Sequence, residues 1–409
     1  MRILWVKAGK ILPVDTGGRI RSFNILRHLA ARNDTTFLSY YDGARDVEYE
    51  RALTALFPHA ITFPSGAPDG KAAQLAFYAA RMLHPAPYSV SKFTTPSVRR
   101  SVRDIIATQR PDVAVCDFLS ASLNFPNPLS IPSVLFQHNV EHALWDRQAL
   151  HERNPVKRVV FSIEAAKMRR YERATVDRFH HVVAVSESDK ALMSVMTDAS
   201  RITVVPTGVD VDTYRAAASG SGSFNVMFLG SMDWPANIDG VEFFCEQVWP
   251  RVIAAVPAAR FQVVGRNPPR RITRLASDSV EIVGGVASVI PHLRAAPVFV
   301  VPLRIGGGTR LKIYEAMAAE RAIVSTSVGA EGLDYTDGED IVIADEAHAF
   351  ADRVIALLRD PDRQRALGSA AGKTAARFDW SEVAIEFEAV LQRAIDVVAA
   401  RAEQQPIGG

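Results

Sequence analysis

The sequence has few cysteines and no long apolar run. Its 409 residues include two cysteines, Cys116 and Cys245, each within an apolar segment. This excludes a disulfide framework and a cysteine-rich metal cluster, and it fits a reducing cytoplasm. No run approaches the roughly 18 apolar residues of a membrane-spanning helix, and the apolar run near the amino terminus is too short for the core of a secretory signal. We therefore expect a cytoplasmic protein that is not integral to a membrane.

The chain also lacks a strong net charge. Its 47 basic and 45 acidic side chains leave a formal charge of +2. No general field therefore attracts nucleic acid, which we do not expect as a partner, and any anionic ligand must be bound by a local patch. The apolar share of 48% and the charged share of 22% are ordinary for a globular protein. Because 409 residues exceed what one hydrophobic core usually serves, we expect two domains.

Short β-branched runs alternate with helical patterns along most of the chain. Strands in such an alternation form parallel βαβ units. One intervening helix is well marked, with Thr95 as its N-cap and Pro96 at its first position. The predicted strands form two series, one at 2–6, 35–40, 60–64, 112–117, 132–138 and 181–187, the other at 225–231, 260–266, 280–285, 297–303, 322–327 and 340–345.

The two series predict an α/β protein with two Rossmann-like, doubly wound domains that face each other across a cleft. Residues 1–210 form the first domain, 211–224 a flexible linker rich in Ala, Ser and Gly, and 225–375 the second domain. Residues 376–409 are predicted to form a helix that crosses back to the first domain, followed by a frayed tail. Open α/β sheets bind ligands at the carboxyl ends of their strands, so we expect the site in the cleft.

The most informative segment, IGGGTRLKIYEAMA at 305–318, follows a predicted buried strand. It predicts a glycine-rich turn that opens a helix, whose free N–H groups favour phosphate. Arg310 and Lys312 add two cations to that turn, and Glu315 can accept hydrogen bonds from sugar hydroxyls one helical turn on. The segment thus predicts a site for a nucleotide diphosphate, whereas a turn that merely reverses the chain is the alternative. The turn residues expected to contact the donor are Gly306, Gly307, Gly308 and Thr309.

Two features of the first domain belong to the same prediction. Gly17 and Gly18 precede a predicted helix after the first strand, and their N–H groups are expected to contact the diphosphate, unless they form only a turn. His138 follows the strand at 132–138 and is a candidate for catalysis, although most histidines are packed or solvated residues. Glu141, close to His138, either orients the acceptor or caps the following helix, and we favour the cap.

These segments resemble the retaining GT-B glycosyltransferases of the group-1 kind, glycosyltransferase family four. The resemblance covers nearly the whole chain and implies a donor nucleotide bound mainly by the second domain, an acceptor bound mainly by the first, and usually no metal. Apart from the Gly17–Gly18 turn, it rests on VVPTGVDVDTY at 204–214, FLGSMDWPANIDGVEFF at 228–244, FQVVGR at 261–266 and PLRIGGGTRLKIYEAMAAERAIVSTSVGAEGL at 302–333.

The resemblance also implies roles for single residues. Glu315 matches the second glutamate of the family's E-x7-E motif, which holds the donor ribose, whereas Gly307 stands where the first glutamate would contact the donor sugar. Val286 ends the segment VGGV, which matches the loop whose backbone reads the nucleobase. His138 resembles the family's histidine near the reacting sugar.

A further departure concerns the phosphates. The family usually places a basic pair after the strand at 225–231, where this chain reads SMDWPANIDG. Arg310 and Lys312 look like the substitutes.

The sequence therefore predicts a retaining, metal-independent glycosyltransferase that moves a sugar from a nucleotide diphosphate sugar to a saccharide or lipid-linked acceptor, in polysaccharide or glycoconjugate synthesis. Arg310 and Lys312 are expected to stabilise the charge of the leaving phosphate without Mg²⁺, so no cofactor or metal is expected. The alternatives are a nucleotide-sugar epimerase, a sugar phosphorylase of the same architecture, and a non-catalytic nucleotide-sugar-binding protein. The missing first glutamate gives the last of these alternatives some weight, but Arg310 and Lys312 retain the groups that would stabilise a leaving phosphate.

Two segments raise the question of a membrane. Residues 147–178 contain nine basic and four acidic residues, which favours a solvated helix face, with peripheral contact with the inner face of an anionic membrane as the alternative. The apolar segment 72–83 predicts a core helix, with lipid contact as the alternative.

Overall fold

The structure is a computed structural model that describes residues 1–65, 71–82, 84–152, 154–215, 225–305 and 311–404. The chain divides into two compact units. The first comprises Met1–Pro206 together with the residues from Val383 onward, and the second comprises Thr207–Glu382. Much of the predicted linker at 211–224 lies outside the described residues, so the predicted domain limits stay a prediction.

The first unit is built on a seven-stranded parallel sheet. Its strands are β1 (Arg2–Ala8), β2 (Asp34–Tyr41), β3 (Ala60–Pro64), β4 (Val113–Asp117), β5 (Ser133–Phe136), β6 (His181–Ala184) and β7 (Ile202–Val204). They follow the order β3-β2-β1-β4-β5-β6-β7, and Trp5 at the centre lies opposite Phe37 on one side and Val115 on the other. Helices cover both faces, which explains why these strands read as continuous apolar runs.

The helices of the first unit lie between these strands. They are α1 (Gly17–Ala30), α2 (Val47–Leu56), α3 (Lys71–Met82), α4 (Tyr88–Ser91), α5 (Pro96–Gln109), α6 (Glu141–His151), α7 (Pro155–Arg178) and α8 (Glu187–Met193), with short 3₁₀ helices at Leu119–Asn124 and Ala199–Arg201. The α5 start is confirmed, because the Thr95 hydroxyl accepts a hydrogen bond from the N–H of Val98. Val98, Val102 and Ile105 of α5 are buried, as their helical spacing predicts.

The second unit holds a six-stranded parallel sheet. Its strands are β8 (Asn225–Leu229), β9 (Arg260–Val264), β10 (Val280–Gly284), β11 (Val298–Val301), β12 (Ala322–Ser325) and β13 (Val342–Ile343). They follow the order β10-β9-β8-β11-β12-β13, so the chain order reverses between β8 and β11. Ligands bind at such switch points in open α/β sheets.

The remaining helices include one that belongs to both units. The set is α9 (Val211–Arg215), α10 (Pro235–Phe243), a π-helical turn (Phe244–Val248), α11 (Trp249–Ala255), α12 (Arg270–Thr273), α13 (Ile290–Ala295), α14 (Leu311–Ala318), α15 (Ala347–Arg359), α16 (Pro361–Ala376) and α17 (Trp380–Gln404). The chain passes from the second unit back to the first near the start of α17. Phe387 of α17 packs on Trp5 of the first sheet, with their ring centroids 5.5 Å apart.

The predicted α/β class with two parallel sheets is confirmed, and every predicted strand coincides with an observed one. The sequence patterns do not predict β7, because three residues are too few to show a period. The core prediction for 72–83 is wrong, since none of the described side chains of α3 is buried. An apolar composition alone does not place a helix in a core.

Over the part of the chain that the structure describes, every helix is too short or too polar to cross a membrane.

Candidate functional site

The predicted donor site falls on the second unit, at the start of α14. Residues Gly306, Gly307, Gly308, Thr309 and Arg310 lie outside the described residues, so their contacts with a donor stay a prediction. The described part of the site begins with Lys312 and Glu315 in the first turns of α14.

The Lys312 side chain lies at the carboxyl end of β8. Its Nζ donates a hydrogen bond of 2.7 Å to Asn237 Oδ1 and lies 4.4 Å from the centroid of the Phe228 ring. Gly230, directly after β8, leaves room for it, because a Cβ there would lie only 2.7 Å from this Nζ. Asn237 is held in turn by a 2.7 Å bond from its Nδ2 to the carbonyl of Ser231. The ammonium is thus fixed at the switch point between β8 and β11.

Glu315 is half-buried and has a phenol as its partner. The Tyr214 hydroxyl of α9 donates a hydrogen bond to its carboxylate. Burial raises the pKa of Glu315, while the Tyr214 bond and the nearby Lys312 ammonium act in the opposite direction. Burial, together with the Glu315 charge, also raises the pKa of Tyr214 well above its usual range. Glu315 therefore has an oriented carboxylate that can accept further hydrogen bonds.

The neighbouring strand ends approach each other closely. A Cβ on Gly265, directly after β9, would lie 1.8 Å from the carbonyl oxygen of Gly230. Gly284 at the end of β10 has a φ of +81°, which favours glycine. Val286 follows in the predicted nucleobase loop and is half-buried against the core of the second unit. These glycines allow the strand ends to lie in contact, while the base-reading role of Val286 stays a prediction.

Sequence reasoning missed a cation at this edge. Arg266, the first residue after Gly265, donates from Nε to Asp233 Oδ2 at 3.1 Å and to Ser231 Oγ at 3.2 Å. Its position at the end of a predicted strand could have identified Arg266 as a candidate from the sequence alone. Asn237 and Tyr214 carry no such signal, because their contacts with α14 join residues far apart in the chain.

In the first unit, Gly17 and Gly18 open α1. The N-cap Thr16 forms no side-chain hydrogen bond with the helix, and the first turn has no acidic residue. Gly18 packs on Phe118, since a Cβ there would lie 2.8 Å from the Phe118 ring and 3.8 Å from His138 Nδ1. The structure thus brings the glycine turn and His138 together. Their predicted contact with a diphosphate stays a prediction.

His138 is buried in a polar network under this turn. Its Nε2 lies 2.9 Å from Asp117 Oδ1, and its ring stacks on Phe118 with 3.7 Å between centroids. Asp117 also lies 3.2 Å from Lys7 Nζ and accepts a 3.0 Å hydrogen bond from the Trp5 indole. Within the described residues, His138 Nδ1 has no hydrogen-bond partner.

Burial and charge fix the protonation state of this network. Burial lowers the pKa of His138 to about 3, and the Asp117 carboxylate only partly offsets that effect. Burial alone would raise the pKa of Asp117, but Lys7 and His138 hold it well below its usual range. At neutral pH, Asp117 is ionised and His138 is neutral. Because Asp117 accepts the proton on Nε2, His138 Nδ1 is a hydrogen-bond acceptor.

The start of α6 is capped by a residue other than the expected one. Glu141 lies in its first turn, but the buried Glu172 of α7 accepts hydrogen bonds from the backbone N–H groups of Glu141 and His142, at 2.8 and 2.9 Å. Glu172 also accepts from Gln137 Nε2 at 2.9 Å. Burial and the Glu172 charge raise the pKa of Glu141 to about 7.

The two parallel sheets and the strand-end site define a GT-B protein, and comparison with known proteins supports this class. The family model described as Glycosyltransferase Family 4 matches residues 17–213, and the model described as Glycosyl transferases group 1 matches residues 223–360. The chain belongs to this family of group 1, family 4 glycosyltransferases.

Solved structures share the fold at low sequence identity. A sucrose-phosphate synthase from Thermosynechococcus elongatus matches with a TM-score of 0.67 and 16% identity, over 97% of this chain and 100% of that one. Anabaena HepE in complex with UDP and glucose matches with a TM-score of 0.63 and 15% identity, over 96% of this chain and 100% of that one.

Curated relatives match over shorter stretches. The phosphatidyl-myo-inositol mannosyltransferase of Mycobacterium tuberculosis is 31% identical over 207 residues, which is 46% of this chain and 53% of that protein. An uncharacterised protein of the cps region of Klebsiella pneumoniae is 30% identical over 144 residues, 32% of this chain and 36% of that protein. The chain spans about half the length, or less, of the curated relatives that it matches.

Proposed function

We propose that the chain is a retaining, metal-independent glycosyltransferase that moves a sugar from a nucleotide diphosphate sugar to a saccharide or lipid-linked acceptor. The observation that carries the proposal is the Lys312 ammonium, which is held at the switch point of the second sheet with the Glu315 carboxylate one helical turn away. The ammonium can form an ion pair with a diphosphate, and the carboxylate oxygens can accept hydrogen bonds from ribose hydroxyls.

In the proposed reaction, the bond between the anomeric carbon and the β-phosphate oxygen breaks. The acceptor hydroxyl oxygen bonds to that carbon from the same face, and its proton passes to the leaving phosphate. Lys312, Arg310 and the N–H groups before α14 stabilise the negative charge that develops on this phosphate. Because the Lys312 ammonium is held in place before the reaction, the proposal needs no metal for that step.

His138 receives a different role in the proposal. A neutral imidazole with an accepting Nδ1 can bind a hydroxyl of the sugar that reacts, and it adds no positive charge beside an oxocarbenium-like centre. This suits orientation better than general acid catalysis, because a group with a pKa of about 3 is not protonated at neutral pH.

The relatives support the substrate classes. The HepE structure is a complex with UDP and glucose, which fits a nucleotide diphosphate sugar as donor. The mycobacterial relatives are named as mannosyltransferases for phosphatidyl-myo-inositol, which fits a lipid-linked acceptor. We extend both classes to this chain as part of the proposal.

The test is a product analysis with a panel of nucleotide sugars and acceptors in the presence of EDTA. We expect release of a nucleotide diphosphate that depends on an acceptor, and a product with the anomeric configuration of the donor. Conversion of the donor without an acceptor would instead indicate an epimerase. Binding without release of nucleotide diphosphate across the panel would favour a non-catalytic binding protein. The glycine at position 307, where the family has a glutamate, is the observation that supports this alternative.

We further propose that the first unit contacts an anionic membrane through the hairpin of α6 and α7. Leu150 is 76% exposed, and Val156, Val159 and Ile163 form an exposed apolar stripe on α7 at helical spacing. The exposed Arg147, Lys157 and Arg158 flank it. Apolar residues beside cations are typical of interfacial helices.

Other members of the basic run have partners within the protein. Lys167 bonds to the Met82 carbonyl, Arg169 forms a 2.8 Å ion pair with Asp146, and Arg178 donates to the Ser122 carbonyl. The membrane proposal therefore rests on the tip of the hairpin and not on the whole run.

A further inference from the structure

The first unit contains a cavity that includes none of the residues assigned to the donor site or to the His138 network. Its volume is about 720 Å³, which lies within the range of small-molecule sites. It is formed by the amino-terminal half of α5, the segment that follows the 3₁₀ helix Leu119–Asn124, and the ends of α3 and α7. Every lining residue belongs to the first unit, whereas Lys312 and Glu315 belong to the second.

The described side chains that line the cavity carry positive charges but no negative ones. Among the described residues that line it, none is Asp or Glu, and five are arginines: Arg81, Arg99, Arg100, Arg103 and Arg178. Within the described part of the chain, none of the five forms an ion pair with a carboxylate. Their positive charges are therefore concentrated and uncompensated.

Three of these arginines are held in place by neutral carbonyl groups. Arg81 donates from Nη1 to the Ser91 carbonyl at 2.5 Å, Arg99 from Nε to the Leu123 carbonyl at 3.1 Å, and Arg178 from Nη2 to the Ser122 carbonyl at 2.7 Å. Carbonyls orient a guanidinium without cancelling its charge, and each group keeps further N–H donors. This is the arrangement of a prepared anion site.

The spacing of the α5 arginines is unfavourable without a ligand. Arg99 and Arg103 lie four residues apart on α5, and Arg100 and Arg103 three apart, so like charges share one helical face. Such pairs destabilise a helix. The positive end of the α5 dipole, at Thr95 and Pro96, adds to the repulsion, and a bound anion would relieve both effects.

Buried polar atoms around the cavity lack partners. Thr94 is 8% exposed and Asn124 is 1% exposed, and both line the cavity. Thr94 Oγ1, Asn124 Oδ1 and Arg178 Nε have no hydrogen-bond partner within the described residues. An unsatisfied buried polar group costs free energy, so a partner is expected. Two of these atoms can donate, and the amide oxygen can only accept.

From the charge, the size and the unpaired atoms, we propose that this cavity binds a phosphate monoester or diester that carries hydroxyl groups. The phosphate oxygens pair with the arginines and accept from Thr94 and Arg178, and a hydroxyl of the ligand donates to Asn124. A bare phosphate would fill only a small part of the cavity. A sugar phosphate in solution and a phosphoinositide headgroup share this chemistry.

The test measures ligand binding to the full chain by calorimetry. The probes are inorganic phosphate, glucose 6-phosphate, and vesicles of phosphatidylcholine with or without phosphatidylinositol. The variant is Arg99→Gln with Arg103→Gln, and its control is Arg274→Gln with Arg353→Gln, which removes the same charge from exposed sites on the second unit. A third variant, Thr94→Val, tests the cavity itself rather than the general field.

We expect glucose 6-phosphate or phosphatidylinositol vesicles to bind the wild type, and the Arg99, Arg103 variant to bind about tenfold more weakly. The control is expected to bind as the wild type does, and Thr94→Val to bind more weakly. Binding of glucose 6-phosphate that the Arg99, Arg103 variant weakens assigns the cavity to a soluble ligand. If that variant weakens only the binding of phosphatidylinositol vesicles, the cavity is assigned to a headgroup.

No binding of any probe by the wild type at millimolar concentration overturns the proposal, and so does an equal loss in the control variant. The proposal does not depend on the donor site of the second unit. Lys312→Met is expected to leave binding of these probes unchanged, so failure of the transferase proposal would be seen separately.

Discussion

Lys312 illustrates how a single side chain gains its role from distant neighbours. Its ammonium has a hydrogen bond to Asn237, 75 residues away in the chain, and the face of Phe228 beneath it. Both contacts restrict the flexible side chain, and an immobilised cation costs no further reorganisation when charge develops on a phosphate. The absence of a side chain at Gly230 is part of the same arrangement.

For this residue we predict the effect of Lys312→Met, which keeps an unbranched side chain one atom shorter and removes the charge. With a donor and acceptor that the wild type uses, kcat should fall by about 10²- to 10³-fold, because a fixed donor to the developing charge is lost. Steady-state kinetics measures this, and Lys373→Met, at an exposed position of the same unit, is the control. Equal kcat values for wild type and Lys312→Met would contradict the assignment.

Glu141 offers a second prediction, for stability against pH. Its pKa is about 7 in the folded chain against an ordinary 4.5, so between these pH values the folded state keeps a proton that the unfolded state releases. The protonated Glu141 side chain therefore favours the folded state, and this contribution to the free energy of unfolding is lost as the pH rises through 7. At pH 8, Glu141→Gln should be more stable than the wild type by up to about 3 kcal/mol, and below pH 4.5 the two should be similar.

Denaturant unfolding of both proteins from pH 5 to 8 measures this difference. Glu48→Gln is the matched control, because it makes the same substitution at an exposed position in the first turn of α2. The depressed pKa of His138 acts in the opposite direction between about pH 3 and 6.5, but equally in every variant. A difference between wild type and Glu141→Gln that is constant over the range would refute the prediction.

At the scale of elements, the strand ends of the second sheet are held at a spacing that only glycine allows. The chain after β8 and the chain after β9 meet at Gly230 and Gly265, where no side chain separates them. Arg266 and Lys312 reach the same edge from their own elements. Only residues without a Cβ allow the two backbones to meet this closely, which explains why glycines gather at the ends of these strands.

We predict that Gly265→Ala lowers the stability of the second unit, because the new Cβ would lie 1.8 Å from the Gly230 carbonyl oxygen and would force the strand ends apart. The cost should be about 1 to 3 kcal/mol. Gly285→Ala is the control, since its Cβ would lie 3.4 Å from the nearest side-chain atom. Thermal unfolding of both variants measures the effect, and equal midpoints would count against the close approach.

These elements also show what the sequence can and cannot predict. The strands are predictable because a strand buried on both faces needs a continuous apolar run, and α5 is predictable because its cap and its stripe are local. The cap of α6 by Glu172 is not predictable, since it joins residues about thirty positions apart. Tyr214 beside Glu315 and the cavity arginines likewise become neighbours only through the packing of several helices.

At the scale of the whole molecule, the two passages of the chain at the division between the units lie side by side. Val209 donates to the Phe378 carbonyl at 2.8 Å, and the N–H of Trp380 donates to the Val209 carbonyl at 3.2 Å. Gly208 packs on the Trp380 ring, where a Cβ would lie 2.6 Å from it. The segment with which the second unit begins and the segment with which it ends are therefore hydrogen-bonded to each other.

The membrane proposal gives a prediction for the intact chain. Replacing Val156 and Val159 by Ser removes two exposed apolar side chains from the tip of the α6–α7 hairpin and should weaken binding to phosphatidylglycerol vesicles about tenfold. Val47→Ser with Val195→Ser, two exposed valines elsewhere on the first unit, is the control. Co-sedimentation measures binding, and an unchanged bound fraction for the hairpin variant would exclude this surface.

The most direct test of the central claim is a crystal structure of the chain with a nucleoside diphosphate bound. The account predicts that the β-phosphate lies within hydrogen-bond distance of Lys312 Nζ and that the ribose hydroxyls donate to the Glu315 carboxylate. A diphosphate bound elsewhere, with the Lys312 side chain still closed on Asn237 and Glu315 bonded only to Tyr214, would contradict it.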